Sequence, residues 1–211
     1  MKTKSARIVL LMLVALCFVN CARAVEKESV YDRVMRTGVV RIAYAEDPPL
    51  LMKDPNTGKL TGLLYDITNK ALTDLQLKPE WTEEVSWGQM PEVLASGRAD
   101  ITSCGLFVSA ARARVIDYSI MLFYTPEGVW VRSDDHRFDT DLNKINDPSV
   151  TIAVIDGEMS SVIAQNVFPH AKPLTLPQLS DLAQNLLNVV SKKADVTFVE
   201  SAIALNTVMR N

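Results

Sequence analysis

Residues 96–119, SGRADITSCGLFVSAARARVIDYS, decide the fold and give the first indication of a binding site. Residues 101–104 are rich in β-prone side chains, and Gly105 ends that predicted strand. Ser109 is a good N-cap residue, so Arg112 is predicted to lie in the first turn of a helix. Backbone N–H groups at a helix start, the helix dipole and a guanidinium together favour a bound carboxylate. A solvated surface helix explains the same local pattern, so both interpretations stay open at this point.

The N-terminus has the composition of a secretory signal. Three basic residues occur within the first seven, residues 8–19 form an unbroken apolar run of twelve, and residues 22–24 are a small-x-small cleavage site. A membrane span needs about 20 apolar residues, so this run is too short for an anchor. We therefore predict that residues 1–24 are a cleaved signal peptide.

The remaining chain is acidic and holds one cysteine. Cleavage leaves 187 of the 211 residues, with 18 Lys and Arg against 25 Asp and Glu, a net charge of −7. Such a charge gives no reason to bind nucleic acid or an anionic membrane surface. Cys104 has no partner for an internal disulfide, and His136 and His170 are widely spaced, so no zinc site is expected. We expect Cys104 to be a buried apolar residue rather than a nucleophile, and we expect no cofactor.

Short apolar runs alternate with helical patterns, which is typical of α/β units with largely parallel strands. In the helix at residues 65–75, we expect Ile67, Ala71, Leu72 and Leu75 to share one side. The predicted strands are residues 39–44, 81–85, 101–104, 128–131, 151–155 and 196–199, with a short strand at Leu174. The predicted helices are residues 65–75, 87–97, 157–166, 179–190 and 201–209, besides the Arg112 helix; residues 54–58 are a turn.

A short repeat links the two halves of the chain. Residues 99–102, ADIT, recur as residues 194–197, ADVT, and each copy follows a predicted helix and opens a predicted strand. The repeat suggests two similar lobes. The segment between them, residues 121–135, would suit either a crossing from one lobe to the other or a long surface hairpin.

Five motifs resemble those of the family 3 extracellular solute-binding proteins, the periplasmic receptors that deliver polar amino acids and related compounds to ABC importers. Residues 151–157 and 192–200 match this family more weakly. The five motifs are RTGVVRIA (36–43), DPPL (47–50), GKLTGLLYDI (58–67), WGQMPEVLASGRAD (87–100) and SAARARVIDYS (109–119).

The resemblance implies an α/β, two-lobed periplasmic-binding-protein-like fold of type II, with the ligand in the cleft. Lobe 1 would cover residues 25–131 and lobe 2 residues 132–211. A family member would continue into a return segment that completes lobe 1. We therefore expect a missing C-terminal return segment, a truncated lobe 2 and exposed apolar surface.

The resemblance also assigns roles to individual residues. Arg112 would hold the ligand α-carboxylate, and Glu200 would pair with the ligand ammonium. A Thr or Ser often follows Gly157 to help hold the carboxylate, but Glu158 stands there, so Ser160 and Ser161 would take over this role. The other implied cleft residues are Ser109, which caps the Arg112 helix, Gly105 and Phe107 in the preceding loop, and Asp47 in the first-lobe loop.

Two departures from the family pattern bear on the ligand. Phe107 replaces a polar side chain, and Leu50 stands where an aromatic residue is common. These changes favour a ligand with an apolar part over basic or acidic amino acids.

The implied function is ligand capture by an exported monomer, which hands an amino acid or related small carboxylate to an ABC permease. Some relatives, the periplasmic cyclohexadienyl dehydratases, eliminate water and carboxylate from a ring acid. In this chain, Glu158 could act as the general acid of such a reaction if burial raised its pKa. Their Asn-Pro-Gly-Gly-Thr-Asn-Glu-like signature is absent, so we expect no enzyme. An extracytoplasmic sensor domain is a third possibility.

Overall fold

The computed structural model describes residues 28–210, and the predicted signal peptide lies outside them. Residues 28–37 belong to a separate small unit. Its helix α1 (Val30–Thr37) begins after Ser29, whose hydroxyl accepts a hydrogen bond from the Asp32 N–H at 3.0 Å. This is the usual N-cap arrangement, in which a side-chain oxygen satisfies a free backbone donor.

The second unit begins at Gly38 and contains most of the elements that the sequence patterns predicted, together with two short strands that they did not predict. The first group is β1 (Val39–Tyr44), β2 (Met52–Lys53), β3 (Leu60–Thr61), α2 (Leu63–Asp74), β4 (Lys78–Glu84), α3 (Met90–Ala95) and β5 (Ile101–Ser103). A 3-10 turn, Arg112–Arg114, follows. The second group is β6 (Glu127–Val131), β7 (Thr151–Ile155), α4 (Met159–Val167), β8 (Lys172–Leu176), α5 (Ala183–Val190), β9 (Val196–Glu200) and α6 (Ser201–Arg210), with a 3-10 turn at Leu142–Ile145.

Two sheets organise this unit. The first has the order β4-β1-β5 with parallel pairing, and β1 is central. Ile42 and Ala43 of β1 are fully buried, as expected for a central parallel strand covered on both faces. The second sheet has the order β6-β9-β7-β8, in which β6 runs antiparallel to β9 and the other pairs are parallel. The strand predicted at residues 128–131 is therefore β6 and belongs to the second sheet. The division into a lobe 1 of residues 25–131 and a lobe 2 of residues 132–211 stays a prediction.

The repeated ADIT and ADVT segments perform the same structural task in both sheets. The Asp100 N–H donates to the Arg41 carbonyl at 2.9 Å, and the Asp100 carboxylate accepts from the Arg41 N–H at 2.7 Å. In the second sheet, the Asp195 N–H donates to the Thr151 carbonyl at 2.8 Å, and its carboxylate accepts from the Thr151 N–H at 2.9 Å. Each aspartate thus bridges its own strand to the central strand of its sheet.

The buried face of α2 differs from the sequence prediction. Leu64 and Leu72 are buried, whereas Ile67 is 38% exposed and Leu75 is 67% exposed. The row spaced four residues apart from Leu64, which includes Leu72, faces the sheet, and the other three predicted positions face outward. Of the four predicted positions, Ile67, Ala71, Leu72 and Leu75, only Leu72 is buried.

Two helices begin later than predicted. The helix expected from Trp87 begins at Met90, because the Ser86 hydroxyl donates to Gln178 at 2.7 Å instead of capping the helix. The helix expected from Leu179 begins at Ala183, whose N–H is capped by the Asp181 carboxylate at 2.8 Å.

Large apolar side chains are exposed in several parts of the described chain. They include the outward row of α2, the irregular segment 120–124, in which Ile120 and Tyr124 are each 86% exposed, and the ends of α5 and α6, where Val190 is 71% and Met209 is 85% exposed. Among residues 28–210, no helix combines the length and apolar character that a membrane crossing requires.

Candidate ligand-binding cleft

The carboxyl ends of β1, β5, β7 and β9 point towards one cavity, where ligands commonly bind in open α/β sheets. The cavity measures about 20 Å³, counted as the space open to the centre of a water-sized sphere. That is room for about one water molecule. It is lined by Asp47, Trp87, Gly105, Phe107, Arg112, Glu127, Glu158, Met159, Leu182, Val199, Glu200 and Ile203.

Arg112 spans the cavity from the loop after β5. Its Nη1 donates to the Phe107 carbonyl at 3.1 Å, and its Nη2 donates to the Gly157 carbonyl at 3.0 Å. The guanidinium is half-buried, and the rest of its five N–H groups are available to a ligand. Gly157 therefore contributes its carbonyl to this arrangement, and Phe107 contributes both a carbonyl and a lining side chain.

Ser109 lies beside Arg112 but does not line the cavity. Its hydroxyl accepts a hydrogen bond from the Arg112 N–H at 3.3 Å, as the predicted cap would. The helix that it was expected to cap is a single 3-10 turn, Arg112–Arg114. So short a turn carries little dipole, and the guanidinium itself is the main anion-binding group here.

Asp47 is the most deeply buried acid of the cavity. The side chain is 1% exposed, and neither carboxylate oxygen completes a hydrogen bond of good geometry. Burial raises the pKa of Asp47 to about 7, and the nearby carboxylates Glu200 and Glu158 add to the effect, although the Gly105 N–H opposes it. A Cβ on Gly105 would lie 3.0 Å from the Asp47 carboxylate, so a side chain there would crowd the acid.

Glu127 is a cavity residue that the sequence analysis missed. It is the first residue of β6 and stands opposite Glu200 in the β6–β9 register. Burial, followed by the charges of Glu158, Glu200 and Asp47, raises the pKa of Glu127 to about 8. The sequence carried no signal for this position, because the β6–β9 pairing joins residues far apart in the chain.

Glu200, the predicted partner of the ligand ammonium, also lines the cavity. It is 8% exposed, and its Oε2 has no hydrogen-bond partner. Burial raises its pKa, the Thr125 hydroxyl opposes the rise, and Glu158 adds to it.

Glu158 occupies the N-terminus of α4 with its own carboxylate. Its Oε2 accepts hydrogen bonds from the Ser160 N–H and the Ser160 hydroxyl. Ser160 is fully buried behind Glu158 and is absent from the cavity wall, so its donors are already used. Burial nevertheless raises the pKa of Glu158, since hydrogen bonds and Arg112 only partly compensate.

The two sheets meet along a seam beside the cavity. The Ser86 hydroxyl and the Asp156 carboxylate both contact the Gln178 amide, at 2.7 and 2.8 Å. A Cβ built on Gly157 would lie 2.8 Å from the Gly88 Cα, so the backbones touch where both residues are glycine. With the Arg112–Gly157 hydrogen bond, these contacts hold the cleft closed.

Cys104 is half-buried, and its thiol behaves as an apolar group. Its Sγ lies 3.0 Å from the Met90 sulfur, and burial raises the pKa of the thiol to about 12. At that pKa the thiolate is scarce near neutral pH, so a nucleophilic role is disfavoured. Within the described part of the chain, no cluster of three His, Cys, Asp or Glu residues could hold a metal ion.

The sequence matches the bacterial extracellular solute-binding proteins, family 3, over residues 40–205. The chain belongs to this family. Among solved structures of periplasmic-binding-protein-like fold, an ancestral amino-acid-binding protein, a precursor of cyclohexadienyl dehydratase, matches with a TM-score of 0.75 at 26% identity, over 86% of this chain and 79% of that one. An amino acid ABC transporter substrate-binding protein from Streptococcus pneumoniae, bound to L-arginine, shares the fold with a TM-score of 0.71 at 20% identity, over 87% of this chain and 75% of that one.

A curated relative of this family 3 protein corrects one expectation. The chain is 26% identical to a cyclohexadienyl dehydratase of Pseudomonas aeruginosa over 201 residues, which cover 94% of this chain and 72% of the relative. The expectation of no enzyme was therefore wrong, since a relative matched along nearly the whole chain is an enzyme. The expectation had relied on the absence of one motif, whereas the identity to the dehydratase is measured over 201 aligned residues.

Proposed function

We propose that the protein captures an amino acid or a related small carboxylate between its two lobes and delivers it for ABC-type import. Residues 1–24 direct export to the periplasm, the protein acts as a monomer, and its partner is an ABC permease of the inner membrane. The strongest support is Arg112, the one cationic side chain lining the cavity among residues 28–210. It stands among buried acids that suit a ligand ammonium.

Charge compensation explains how such a ligand would be held. A zwitterion buried between lobes needs a partner for each charge to offset the loss of hydration. Arg112 offers two parallel donors to the carboxylate, and Glu200 offers an acceptor to the ammonium. The α4 N-terminus contributes less, because the Glu158 carboxylate already occupies it.

Ligand entry requires the lobes to separate. A cavity of about 20 Å³ cannot hold an amino acid. The Arg112–Gly157 hydrogen bond and the Ser86–Gln178 hydrogen bond would break on opening. Closure around the ligand is then the signal that the permease recognises.

Dehydration of a cyclohexadienyl acid in the same cleft is a second candidate function. Glu158 supports it, because this carboxyl is 8% exposed, has a raised pKa and lines the same cavity as Arg112. A protonated carboxyl in that position could donate a proton to the ring hydroxyl, which leaves as water. The ring carboxylate leaves as carbon dioxide and its bonding electron pair completes the aromatic ring, while Arg112 would hold a second, non-reacting carboxylate of the substrate.

The binding function is tested by thermal shift and calorimetry with the common amino acids. A ligand at 100 times its Kd should stabilise the protein by about 2.7 kcal/mol. Arg112→Ala should weaken binding by about 2 to 5 kcal/mol, because a buried ligand carboxylate loses its partner. Arg114→Ala, an exposed arginine two residues away, is the matched control and should bind normally. A ligand that stabilises wild type and Arg112→Ala equally would contradict the proposal.

The dehydratase function is tested by following aromatic product formation from prephenate and arogenate. Turnover by wild type that is lost in Glu158→Gln, with substrate binding retained, would support it. Glu92→Gln, an exposed carboxyl on α3, serves as the control for loss of charge alone. Absence of turnover in wild type would reject this candidate.

A further inference from the structure

The acids of the cavity come from both sides of the cleft. Asp47 follows β1 of the first sheet, whereas three glutamates belong to the side of the second sheet. These are Glu127 at the start of β6, Glu158 at the N-cap of α4 and Glu200 at the end of β9. Glu127 and Glu200 stand directly opposite each other in the β6–β9 register, with Cβ atoms about 5 Å apart, where like charges repel. In the closed cleft, all of these carboxyls line one cavity of about 20 Å³.

The closed cleft favours the neutral form of three of these acids. Asp47 is 1% exposed with neither oxygen in a good hydrogen bond, and Glu127 and Glu200 each have a buried Oε2 without a partner. An ionised carboxylate in such a place loses its hydration without compensation. Burial accordingly raises the pKa of Glu127 to about 8 and that of Asp47 to about 7, and it also raises the pKa of Glu200. The carboxylate of Glu158, in contrast, accepts two hydrogen bonds from Ser160.

The other groups around the cavity leave its charge to the carboxyls. Among residues 28–210, Arg112 is the single Lys or Arg side chain in the cavity wall, and no histidine lines it. Two of the five Arg112 donors are already bonded to the carbonyls of Phe107 and Gly157. The thiol of Cys104, which lies near Asp47, has a pKa of about 12 and stays neutral near neutral pH. Titration of the cavity between acid and mildly alkaline pH is therefore titration of its acids.

Separation of the two sheets would relieve the cost of ionisation. Water would reach all the carboxyls, and Asp47 would move away from the glutamates on the opposite side. Both changes lower the pKa values towards their ordinary range, so the closed form binds more protons than the open form. By linkage, closure is then fully favoured at acid pH and is lost as pH rises through the raised pKa values. The Arg112–Gly157 and Ser86–Gln178 hydrogen bonds oppose opening, but water replaces them in the open form.

We propose that the cleft is a proton-controlled gate, which opens when Asp47, Glu127 and Glu200 lose their protons and closes when they regain them. The gate acts on the protein without a ligand, so it goes beyond the proposed function. The groups facing these three carboxyls are Arg112 and Cys104 from the loop after β5 and Glu158 from α4.

Small-angle X-ray scattering of the protein without added ligand tests the gate between about pH 5 and about pH 9. The radius of gyration should be small at acid pH and larger at alkaline pH, with most of the change around the pKa values of about 7 and about 8. Circular dichroism at each pH distinguishes opening, which keeps the helix and strand signal, from unfolding, which loses it.

Variants connect the transition to the acids of the cavity. Asp47→Asn/Glu127→Gln replaces two acids by amides that cannot ionise, and its opening should move to higher pH by about one unit or more. The matched control Asp74→Asn/Glu92→Gln removes the same charge from exposed positions on α2 and α3 and should open like the wild type. Arg112→Ala removes the cation and the hydrogen bond to Gly157, so it should open at lower pH than the wild type.

Several results would overturn the gate. They are a radius of gyration that is unchanged over this pH range or larger at acid pH, an increase that coincides with loss of secondary structure, and a double variant of Asp47 and Glu127 that is folded and opens at the wild-type pH. If that double variant does not fold, an Arg112→Ala protein that opens at the wild-type pH or above it would equally reject the gate. Calorimetry with amino acids is a separate measurement, so failure of the gate leaves the proposed binding function standing.

Discussion

At the residue scale, the cleft is dominated by acids whose ionisation is suppressed. Asp47 and Glu127 have pKa values raised to about 7 and about 8, in each case mainly by burial. Arg112 alone faces them as a cation from within the described part of the chain. The cleft is therefore a place where ionisable groups are arranged at a cost to stability, as is usual for binding sites.

This arrangement predicts that the unliganded protein loses stability as pH rises. The pKa of Asp47 is about 7 in the folded protein, above its ordinary value of 3.8. The contribution of Asp47 to the free energy of unfolding is therefore fully present below about pH 4 and is lost as pH rises through about 7. Asp47→Asn removes this dependence and should raise Tm at pH 8 by about 3 °C or more, with little change near pH 4.

Thermal melts between pH 4 and pH 8 measure this effect. Asp74→Asn, which alters an exposed carboxylate paired with Lys70 on α2, is the control and should follow the wild-type pH profile. A wild-type Tm that rises steadily from pH 5 to pH 8 would show that Asp47 is ionised without penalty in the folded protein.

At the element scale, local patterns predicted the strands well and the helix ends less well. Strands β1 and β7 have the predicted bounds, because apolar runs flanked by glycine, proline or polar residues are strong local signals. The start of α3 was wrong, because the Ser86 hydroxyl bonds to Gln178, which is 92 residues away. Ser109 kept its predicted contact with Arg112, yet the helix it should cap is a single 3-10 turn.

The ADIT and ADVT repeats show how a weak sequence signal becomes a structural one. Four matching residues can arise by chance, but Asp100 and Asp195 make the same pair of hydrogen bonds to the central strand of their sheets. Asp100 also pairs with the Arg41 guanidinium at 2.8 Å. These two aspartates are framework residues that fix the strands whose ends carry the cleft.

At the scale of the whole molecule, closure depends on a seam in which two glycines bring the backbones of the two sheets into contact. Gly88 and Gly157 allow the two backbones to touch, and a Cβ on Gly88 would already lie 3.4 Å from the Gly157 Cα. A larger side chain at position 88 would hold the lobes apart. Because Gly88, unlike Gly157, does not have a positive φ, substitution there does not strain the backbone in the same way.

We predict that Gly88→Val favours an open form and weakens ligand binding by about tenfold or more, since affinity falls with the fraction of closed protein. Small-angle X-ray scattering should show a larger radius of gyration, and calorimetry should show the loss of affinity. Gln178→Ala removes the hydrogen bond from Ser86 without adding bulk, so its effect should be smaller. A Gly88→Val protein that closes and binds like wild type would contradict the role of the seam.

The sequence by itself determined the α/β class, the family and the position of Arg112 beside Ser109, because these depend on local patterns and ordered motifs. Of the eight predicted cleft residues, it named five that line the cavity, namely Asp47, Gly105, Phe107, Arg112 and Glu200. The sequence also placed Glu158 at a helix start, and its contact with Ser160 is local. The tertiary structure alone decided that Glu127 joins the cavity, because the β6–β9 pairing that places it there joins residues far apart in the chain and no local pattern encodes it.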